Sequence, residues 1–356
     1  MRVDELDYDL PEERIATQPA SPRDAARLMV ADRATGRADD HHVRDLPALG
    51  LLRAGDLLVL NETRVLPARL VGERCATGGR VTGLYLASEG DLWQVMLEAR
   101  GRLEPGEAID LDARARLVLE RALGQGRWAA RLEADGDTEA VLARVGRTPL
   151  PPYIARARQR HDEPAERDED VERYNTVYAR HAGSVAAPTA GLHLTPELLA
   201  TLQAQGVGVA RVTLHVGLGT FAPVRSDTLA SHAMHGERVV IAPATRDALA
   251  ATRDAGGRIV AVGTTTVRAL ESLPAHWREL EGDFVTDTEL FIYPGSDVVF
   301  RFTDMLMTNF HLPRSTLLAM VAALPGVGVE RLLGWYREAV RRGYRFYSYG
   351  DAMLVA

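Results

Sequence analysis

The stretch TPELLATLQAQGVGVARVTLHVG (195–217) decides the fold, because a capped helix is followed directly by an apolar strand. Thr195 suits the N-cap, Pro196 the first helical turn and Gly206 the end of the helix. The same alternation continues through a helix, a strand and a second helix: PATRDALAATRDAGG (243–257), RIVAVG (258–263) and TTTVRALESL (264–273). Strands that alternate with helices of this length predict parallel βαβ units.

Apolar segments on both sides of this stretch extend the pattern. GDLLVLN (55–61) is typical of a buried strand, and the helices RSTLLAMVAAL (314–324) and VERLLGWYREAVRRG (329–343) close the domain. Residues 67–150 differ, because short apolar segments are separated by the turn signals TGG, SEGD, EPGE, LGQG and ADGD. This spacing is typical of a small antiparallel barrel or sandwich. The charge-dense segment 150–173 is predicted to be a surface linker or a flexible loop.

These patterns together predict the fold class and the domain limits. The fold class is α/β, with a main α/β domain of parallel-type βαβ units interrupted by an inserted small antiparallel β-barrel domain. The main domain is discontinuous and spans residues 1–66 and 151–356, and the barrel spans residues 67–150. Because two such domains form a self-contained chain, we expect a monomer.

The basic residues are unusual, since all 42 of them are arginine and lysine is absent from the 356 residues. Without a lysine amine, a Schiff base to a cofactor or ketone and a P-loop are both excluded. The single cysteine, Cys75, excludes a disulfide framework and any thiolate-based zinc or iron–sulfur site. The net charge of -7 argues against nucleic-acid binding through an overall basic field, but it is compatible with a local basic track.

The sequence predicts neither secretion nor membrane insertion. Its start, MRVDELDYDLPEE, is acidic where a signal peptide is basic and then apolar. Apolar runs such as LLAMVAAL (317–324) are far shorter than the ~20 residues that span a bilayer. We therefore expect a cytoplasmic protein without a membrane partner.

Polar residues are concentrated at four junctions between a predicted strand and the helix that follows it. In open α/β sheets, ligands bind beyond the carboxyl ends of the strands. At one junction, Thr264 and Thr265 begin a helix after Gly263, and Arg268 follows one turn later. Free backbone N–H groups there suit a phosphate or a carboxylate, and plain N-capping explains the same residues equally well.

The other three junctions each contain a histidine. They are SVAAPTAGLHLTPELL (184–199) with Thr189, Gly191 and His193, TLHVGLGTFAPVR (213–225) with His215, Gly217 and Gly219, and MLMTNFHLPRSTLLAM (305–320) with Asn309, His311 and Arg314. The middle junction resembles a dinucleotide fingerprint, but Pro223 would disrupt the helix that must begin there. We predict instead that Gly217 and Gly219 let the backbone approach a ligand, and that the last junction forms a site.

Two further clusters allow more than one interpretation. His232, His235 and Glu237 are ligand types that suit zinc or iron, but helical i,i+4 spacing and an H-E-x-x-H motif are absent. A polar loop with one buried histidine is the favoured interpretation, so no metal site is predicted. The C-terminal YRFYSYGDAMLV (344–355) predicts either aromatic stacking on bases or a terminal core strand.

Ten strings, in order along the chain, resemble one enzyme family. They are DYDLPEERIA (7–16), NETRVLPARL (61–70), LPPYI (150–154), RYNTVYA (173–179), GSVAAPTAGLHLT (183–195), TLHVGLGTF (213–221), HAMHGE (232–237), AVGTTTVRALES (261–272), TNFHLPRSTLLAM (308–320) and YRFYSYGDAM (344–353). In these strings the chain is similar to the S-adenosylmethionine:tRNA ribosyltransferase-isomerases, bacterial enzymes of queuosine biosynthesis. The strings are sparsest in residues 67–150.

The resemblance implies an unusual use of S-adenosylmethionine. Its ribosyl part is transferred to 7-aminomethyl-7-deazaguanine at the tRNA wobble position and isomerised, which gives epoxyqueuosine and releases adenine and methionine. S-adenosylmethionine is then a cosubstrate, and no prosthetic group is expected. Such chemistry would begin with a base that removes the proton beside the sulfonium, and adenine would need a proton as it leaves.

The resemblance also implies roles for residues at the junctions. The candidates for base and acid are His193, His215, His311 and Glu237, since the pKa of imidazole lies close to working pH. The residues expected to bind substrate are Asn61, Thr63, Arg64, Thr189, Gly191, Gly217, Gly219, Thr264, Thr265, Arg268, Asn309, Arg314 and Tyr349. Arg268 or Arg314 would hold the methionine carboxylate. One aromatic residue would cover the sulfonium, from the group Tyr344, Phe346, Tyr347 and Tyr349.

The expected tRNA contacts are arginines, because the chain has no lysine. The candidates are Arg64, Arg69, Arg156, Arg158, Arg160, Arg341, Arg342 and Arg345. Guanidinium contacts should be planar and bidentate where geometry allows. The chain departs from the family at Glu62, Leu194, Leu218, Gly236 and Arg314, where Asp, Phe, Ala, Ser and Lys are usual.

Three other functions fit the sequence less well. A conventional methyltransferase needs a glycine-rich loop after its first strand, and no such pattern is convincing. A non-catalytic RNA-binding module built on the barrel predicts a basic barrel, but residues 67–150 contain 12 arginines and 13 acidic residues. A metal-dependent hydrolase that uses His232 and His235 lacks the ligand spacing.

Overall fold

The computed structural model describes residues 1–160, 162–217 and 226–356, so the predicted site residue Gly219 lies outside the described residues. Within the described residues the strands are β1 (Arg27–Ala31), β2 (Ala38–His42), β3 (Leu57–Asn61), β4 (Thr63–Val65), β5 (Arg69–Arg74), β6 (Arg80–Glu89), β7 (Leu92–Ala99), β8 (Ala108–Asp112), β9 (Ala115–Gly124), β10 (Arg127–Ala134), β11 (His181–Ser184), β12 (Gly208–Leu214), β13 (Glu237–Ile241), β14 (Ile259–Val262), β15 (Phe284–Thr288), β16 (Met305–Asn309) and β17 (Ala352–Val355).

The α-helices lie mostly in the second half of the chain. Within the described residues they are α1 (Thr138–Val145), α2 (Pro152–Arg160), α3 (Asp170–Arg173), α4 (Pro196–Ala204), α5 (Pro243–Asp254), α6 (Thr264–Glu271), α7 (Thr316–Ala323) and α8 (Val329–Arg341). Helix α4 begins as the sequence predicts, since Thr195 is its N-cap and accepts a hydrogen bond from the backbone N–H of Leu198. None of the helices in the described ranges is long and apolar enough to span a membrane.

A mixed sheet of nine strands organises the larger unit, in the order β15-β13-β12-β3-β14-β16-β17-β1-β2. The four strands β12, β3, β14 and β16 run parallel to one another in the middle of this sheet. Strand β17 runs antiparallel to β16, and β12, β13 and β15 pair antiparallel at the other side. Parallel strands end at the same edge, so the carboxyl ends of the four central strands lie together.

The central strands are apolar runs because both of their faces are covered. In β3, Leu57 and Val59 belong to one core cluster, and Leu58 and Leu60 belong to the other. Helices α5 to α8 contribute to the first cluster, and α4 contributes to the second. A buried strand between two helical layers explains why GDLLVLN shows no polar alternation.

The smaller unit contains a closed barrel of six strands in the order β10-β7-β6-β5-β8-β9, all paired antiparallel. The hairpin between β9 and β10 turns at Gly124, Gln125 and Gly126, which all have positive φ angles. Glycine adopts such angles without a steric cost, which is why LGQG is a turn signal. The predicted fold class, an α/β domain interrupted by an antiparallel barrel, is confirmed.

The chain divides into two compact units, Met1–Arg64, Pro151–Ala165 and Arg173–Ala356 in one, and Val65–Leu150 and Glu166–Glu172 in the other. The domain limits given by the sequence stay a prediction. The linker expected at 150–173 is wrong in part, because this segment contains α2 and α3. Arg158 in α2 is fully buried, and its guanidinium donates to the backbone carbonyls of Thr17 and Ala165.

The sequence pattern also missed antiparallel strands. Strand β13 begins at Glu237, inside the segment that we interpreted as a polar loop, and β15 pairs beside it. Helix α5 therefore connects β13 to β14, two strands that are antiparallel, and is not a βαβ crossover. The C-terminal aromatic segment leads into β17, a buried core strand between β16 and β1.

Candidate functional site

The four junctions singled out in the sequence meet at one edge of the nine-stranded sheet. Strand β3 ends at Asn61 and β16 ends at Asn309, while His215 follows β12 directly. Gly263 follows β14 and precedes α6, and its N–H bonds the carbonyl of Met307 in β16. The 3-10 helix Thr189–His193 lies next to this edge, since a Cβ on Gly263 would be 3.7 Å from the Cβ of Ala190.

Asn61 holds three of these segments together. Its side-chain amide donates to the carbonyl of Leu214 at 3.0 Å and to the hydroxyl of Thr265 at 3.2 Å. Its Oδ1 accepts the backbone N–H groups of Leu214 at 3.0 Å and Thr63 at 3.2 Å. Because Asn61 is fully buried and all its polar atoms are bonded within the protein, its contacts position the site.

His215 lies at the end of a chain of hydroxyl groups. Its Nδ1 is 2.9 Å from Oγ1 of Thr63, which is 2.8 Å from Oγ of Ser184. The backbone N–H of Val216 donates to the same Ser184 oxygen at 2.8 Å. Burial lowers the pKa of the half-buried His215, and the nearby His181 and Arg238 lower it further.

Gly183 and Ser184 are site residues that sequence reasoning missed. A Cβ on Gly183 would lie 2.7 Å from ring atoms of His215, and Gly183 has a φ of +151°. Glycine at this position therefore lets the backbone pass against the imidazole. The string GSVAAPTAGLHLT contains both residues, but only the fold brings them beside the end of β12.

The N-terminus of α6 faces the same edge. Gly263 is the N-cap with a φ of +91°, and the hydroxyl of Thr266 bonds the carbonyl of Val262 at 2.7 Å. In the described part of the chain, the backbone N–H groups of Thr264 and Thr265 have no hydrogen-bond acceptor. Unpaired N–H groups at a helix N-terminus favour an anion such as a carboxylate.

His193 and Asn309 form a second buried polar pair. The Asn309 side-chain amide donates to the carbonyl of Tyr347 at 3.0 Å and lies 3.3 Å from Nε2 of His193. Oδ1 of Asn309 is buried and has no partner among the described residues. Burial lowers the pKa of His193 to about 4, so the imidazole is neutral at working pH. A small cavity lies here, lined by Pro19, Ala20, Arg23, Leu192, His193, Ser348 and Tyr349.

His311 is neither half-exposed like His215 nor part of the lining of the small cavity that His193 borders. It is buried, its Nε2 is 2.9 Å from the Thr308 hydroxyl, and its backbone N–H donates to the hydroxyl of Tyr336. The Tyr8 hydroxyl donates to its carbonyl. Burial lowers the pKa of His311 to about 3. These contacts indicate a structural role in the core.

Glu237 and Arg268, predicted as a catalytic group and a carboxylate holder, bond to each other. The side chains form a buried ion pair. Glu237 also accepts the N–H of Gly217 at 2.8 Å, and Arg268 donates to the carbonyls of Thr288 and Leu290 at 3.1 Å each. Charged groups so fully engaged fix β12 and β13 to α6, and they are poor candidates for proton transfer or ligand binding.

Two glycines at the site need separate explanations. A Cβ on Gly191 would lie 2.0 Å from the hydroxyl of Tyr178, so the protein itself requires glycine there. A Cβ on Gly217 would lie 3.8 Å from Oε1 of Glu237, its nearest neighbour among the described residues, which is ordinary van der Waals contact. Tyr178 explains the glycine at position 191 without a ligand, and the approach of a ligand to the backbone of Gly217 stays a prediction.

Among the aromatic candidates, Tyr349 lines the small cavity and packs edge-on against Tyr174 at 5.8 Å. Tyr344 and Phe346 are fully buried in the core, so neither has a face open to a sulfonium. Thr189 begins the 3-10 helix that ends at His193 and is half-buried. Of the four predicted aromatic residues, Tyr349 borders the cavity, and Tyr347 contacts Asn309 through its backbone carbonyl.

The predicted cationic contacts are mostly engaged elsewhere. Arg314 is exposed and pairs with Asp7. Arg64 is half-buried and has a partner, and Arg156 is exposed. The other candidates are buried or paired: Arg158 in the interior, Arg69 with Glu166, Arg160 with Glu12, Arg341 and Arg342 with Glu338, and Arg345 with Asp351.

The histidines of the HAMHGE string are not assembled as metal ligands. His232 packs against the ring of Phe291 at 5.5 Å, and Glu237 pairs with Arg268. Across residues 1–160, 162–217 and 226–356, no group of three or more His, Cys, Asp or Glu side chains could hold a metal ion.

Of the positions where the chain departs from the family, Glu62 lies 3.6 Å from His181 and 3.7 Å from Arg211.

Comparison with known proteins gives the site a chemical context. The family described as "Queuosine biosynthesis protein" matches residues 3–355. The chain belongs to this family. Similar members include the "S-adenosylmethionine:tRNA ribosyltransferase-isomerase" of Gloeobacter violaceus, 51% identical over 99% of this chain and 95% of that protein. The protein of the same name from Anaeromyxobacter dehalogenans is 50% identical over 100% of this chain and 99% of its own length.

A solved member of the family has the same fold. The crystal structure of S-adenosylmethionine tRNA ribosyltransferase from Thermotoga maritima is 35% identical, with a TM-score of 0.54 over 99% of this chain and 100% of that one. The resemblance stated from the ten sequence strings is thereby confirmed at the level of the family. Identity that extends over the full length of these relatives includes the barrel, where the sequence strings were sparse.

Proposed function

We propose that this protein is an S-adenosylmethionine:tRNA ribosyltransferase-isomerase. It transfers and isomerises the ribosyl part of S-adenosylmethionine onto 7-aminomethyl-7-deazaguanine at the tRNA wobble position, giving epoxyqueuosine, adenine and methionine. The observation that supports this most directly is the full-length similarity, about 50%, to enzymes with this name. The cluster of histidine, threonine and asparagine side chains at the carboxyl edge of the parallel strands supplies a place for the reaction.

The site residues suit a zwitterionic, hydrogen-bonding substrate. The unpaired N–H groups of Thr264 and Thr265 at the start of α6 would bind the methionine carboxylate, which removes the need for Arg268 or Arg314. His193 accepts a hydrogen bond from Asn309 at Nε2, so its neutral ring has its hydrogen on Nδ1. That N–H would bind an acceptor atom of the adenine or ribose. S-adenosylmethionine is a substrate here, and the proposal includes no prosthetic group or metal.

The reaction itself tests the proposal. We expect that S-adenosylmethionine and tRNA bearing 7-aminomethyl-7-deazaguanine, incubated with the protein, yield free adenine and an epoxide-bearing tRNA. Chromatography of the supernatant and mass spectrometry of the digested tRNA measure both products. A tRNA that lacks the aminomethyl group is the control substrate and should release no adenine. A tRNA that gains only a methyl group, or tRNA modification without adenine release, would contradict the proposal and favour a conventional methyltransferase.

A group of arginines next to Glu62 and His215 suits the tRNA backbone better than the arginines predicted from the sequence. This arginine rim comprises Arg180, Arg211 and Arg238. The backbone N–H of Arg180 donates to the carbonyl of Glu62. Its side chain is exposed and has no partner among the described residues. Arg211 and Arg238 are 45% and 54% exposed and lie 3.7 Å and 3.6 Å from the nearest carboxylates, too far for strong pairing.

Charge reversal tests the arginine rim. We expect Arg180→Glu to raise the KM for tRNA about tenfold. The slope of the logarithm of the tRNA binding constant against the logarithm of salt concentration should become shallower by about one, because one phosphate contact is lost. The KM for S-adenosylmethionine should stay unchanged, because the guanidinium is exposed at the rim. Arg337→Glu is the matched control, since Arg337 is equally exposed in α8 and has no described partner. Equal effects of the two variants on tRNA binding would reject the rim as a specific contact.

Three further properties are expected of an enzyme with this function: its substrate tRNA, its oligomeric state and its location. The tRNA is expected to carry the aminomethyl-deazaguanine at the wobble position, where a single-stranded anticodon loop makes exposure of the base cheap. The protein is expected to be a cytoplasmic monomer. Sedimentation at micromolar concentration measures the oligomeric state.

A further inference from the structure

The direction of each hydrogen bond in the chain that ends at His215 follows from counting hydrogens. Ser184 is fully buried, and its oxygen accepts the N–H of Val216 at 2.8 Å. Within the described residues, the one remaining neighbour of the Ser184 hydroxyl is Oγ1 of Thr63, also fully buried, at 2.8 Å. A buried hydroxyl hydrogen without an acceptor costs ~1–3 kcal/mol. Ser184 therefore donates to Thr63.

The same count fixes the next bond. Oγ1 of Thr63 receives the Ser184 hydrogen, and its own hydrogen has Nδ1 of His215 as acceptor at 2.9 Å. The opposite order, with a hydrogen on Nδ1, would leave the hydrogen of Thr63 or of Ser184 without an acceptor in the interior. Each donor is satisfied in one arrangement: Val216 N–H to Ser184, Ser184 to Thr63, and Thr63 to Nδ1.

We propose that Ser184 and Thr63 are positioning residues that hold His215 as the neutral tautomer with its hydrogen on Nε2. The neutral ring then presents an N–H to a ligand. Nε2 has no hydrogen-bond partner in the described part of the chain. Gly183 lies against the ring, where a Cβ would clash with it. A protonated ring would also carry a hydrogen on Nδ1. Thr63 would then have to accept a hydrogen bond from Nδ1 instead of donating to it, and the hydrogen bond from Ser184 opposes that reversal.

This inference rests on the proposed function for its chemical meaning and changes the role expected of His215. A neutral imidazole gives up its remaining proton only at very high pH, so the Nε2–H is a hydrogen-bond donor and not a base for the carbon beside the sulfonium. Such a donor suits a ring nitrogen of adenine, whose electron density rises as the bond to the ribose breaks. His215 is then an electrophilic group for the leaving base.

Nitrogen NMR of the protein tests the tautomer without any substrate. The chain has ten histidines, so selective ¹⁵N-histidine labelling gives a spectrum that can be assigned, with His215→Gln identifying its signals by loss. We expect the Nδ1 shift of an unprotonated acceptor nitrogen and the Nε2 shift of a protonated one at neutral pH. The reverse pattern, or rapid exchange between the two tautomers, would overturn the proposal even if the enzyme is active.

Variants of the hydroxyl chain supply the functional test. We expect Thr63→Val to mix the two tautomers and to lower kcat about tenfold or more while the KM for tRNA stays unchanged, and Thr63→Ser to restore both. Ser184→Ala should have the same effect in milder form, because Thr63 then lacks the hydrogen bond from Ser184 that fixes the direction of its own hydroxyl hydrogen. A purely structural role predicts lower stability with an unchanged tautomer. That outcome, or unchanged kcat in Thr63→Val, would reject the positioning role, whereas absence of the reaction in the wild type would reject the proposed function alone.

Discussion

Replacing His215 by alanine is expected to lower kcat/KM by about 10²–10³, the effect of removing one preorganised hydrogen-bond donor from a transition state. The expected loss is in kcat, because the N–H of His215 would strengthen its bond as charge develops on the departing adenine. Stability should fall by about 1–3 kcal/mol, because the buried Thr63 hydroxyl loses its acceptor, Nδ1 of His215. Steady-state release of adenine measures the effect, and the urea midpoint shows that the variant is folded.

Two other histidines serve as contrasts. His311→Ala removes a fully buried ring that bonds Thr308, so we expect a large loss of stability and a smaller change in the turnover of the folded fraction. His276→Ala changes an exposed histidine near the 3-10 helix Trp277–Glu279 and should match the wild type in both assays. Near-normal turnover in His215→Ala would show that the chemistry lies elsewhere.

The placement of the junctions was predictable because it depends on strand direction. Apolar runs such as GDLLVLN and RIVAVG indicate strands buried on both faces, and parallel strands end at a common edge. Polar residues at the ends of those runs, such as Asn61 and Thr265, are therefore expected at one edge of the sheet, but the sequence does not show which of them are neighbours. The family was predictable from the ten strings for a different reason, since they extend over nearly the whole chain.

The contacts of individual side chains were not predictable, because they depend on which segments pair in space. Ser184 contributes to the site through β11, a strand of four residues with no clear pattern. Gly191 resembles a ligand-binding glycine in sequence, and only the nearby Tyr178 shows why a side chain is excluded. Arg158 lies in a charge-dense segment that predicts exposure, but its guanidinium has carbonyl partners in the interior. Local composition contains no information about such partners.

The partner of Glu237 is likewise not apparent from the local sequence, because Arg268 is distant along the chain. We therefore test Glu237 as a structural residue. Replacing it by glutamine is expected to lower the free energy of unfolding by about 3–5 kcal/mol, because Arg268 keeps a buried charge without a counter-ion. Both side chains are almost completely buried, at 3% and 2% exposure. Glutamine keeps an oxygen for the N–H of Gly217, so the loss reports the ion pair and not the backbone contact. Urea unfolding followed by circular dichroism measures it.

A double replacement separates the pair from its surroundings. Glu237→Leu with Arg268→Met removes both charges, and we expect it to be more stable than either single variant, since no unpaired charge stays buried. The matched surface control is Asp254→Asn, which breaks the exposed pair with Arg278 and should leave the urea midpoint unchanged. If Glu237→Gln is as stable as that control, the carboxylate is not held as an ion in the core, and a proton-transfer role for Glu237 becomes the better explanation. Because Glu237 joins β13 to the residue two positions after His215, loss of the pair should also lower turnover in the fraction that remains folded.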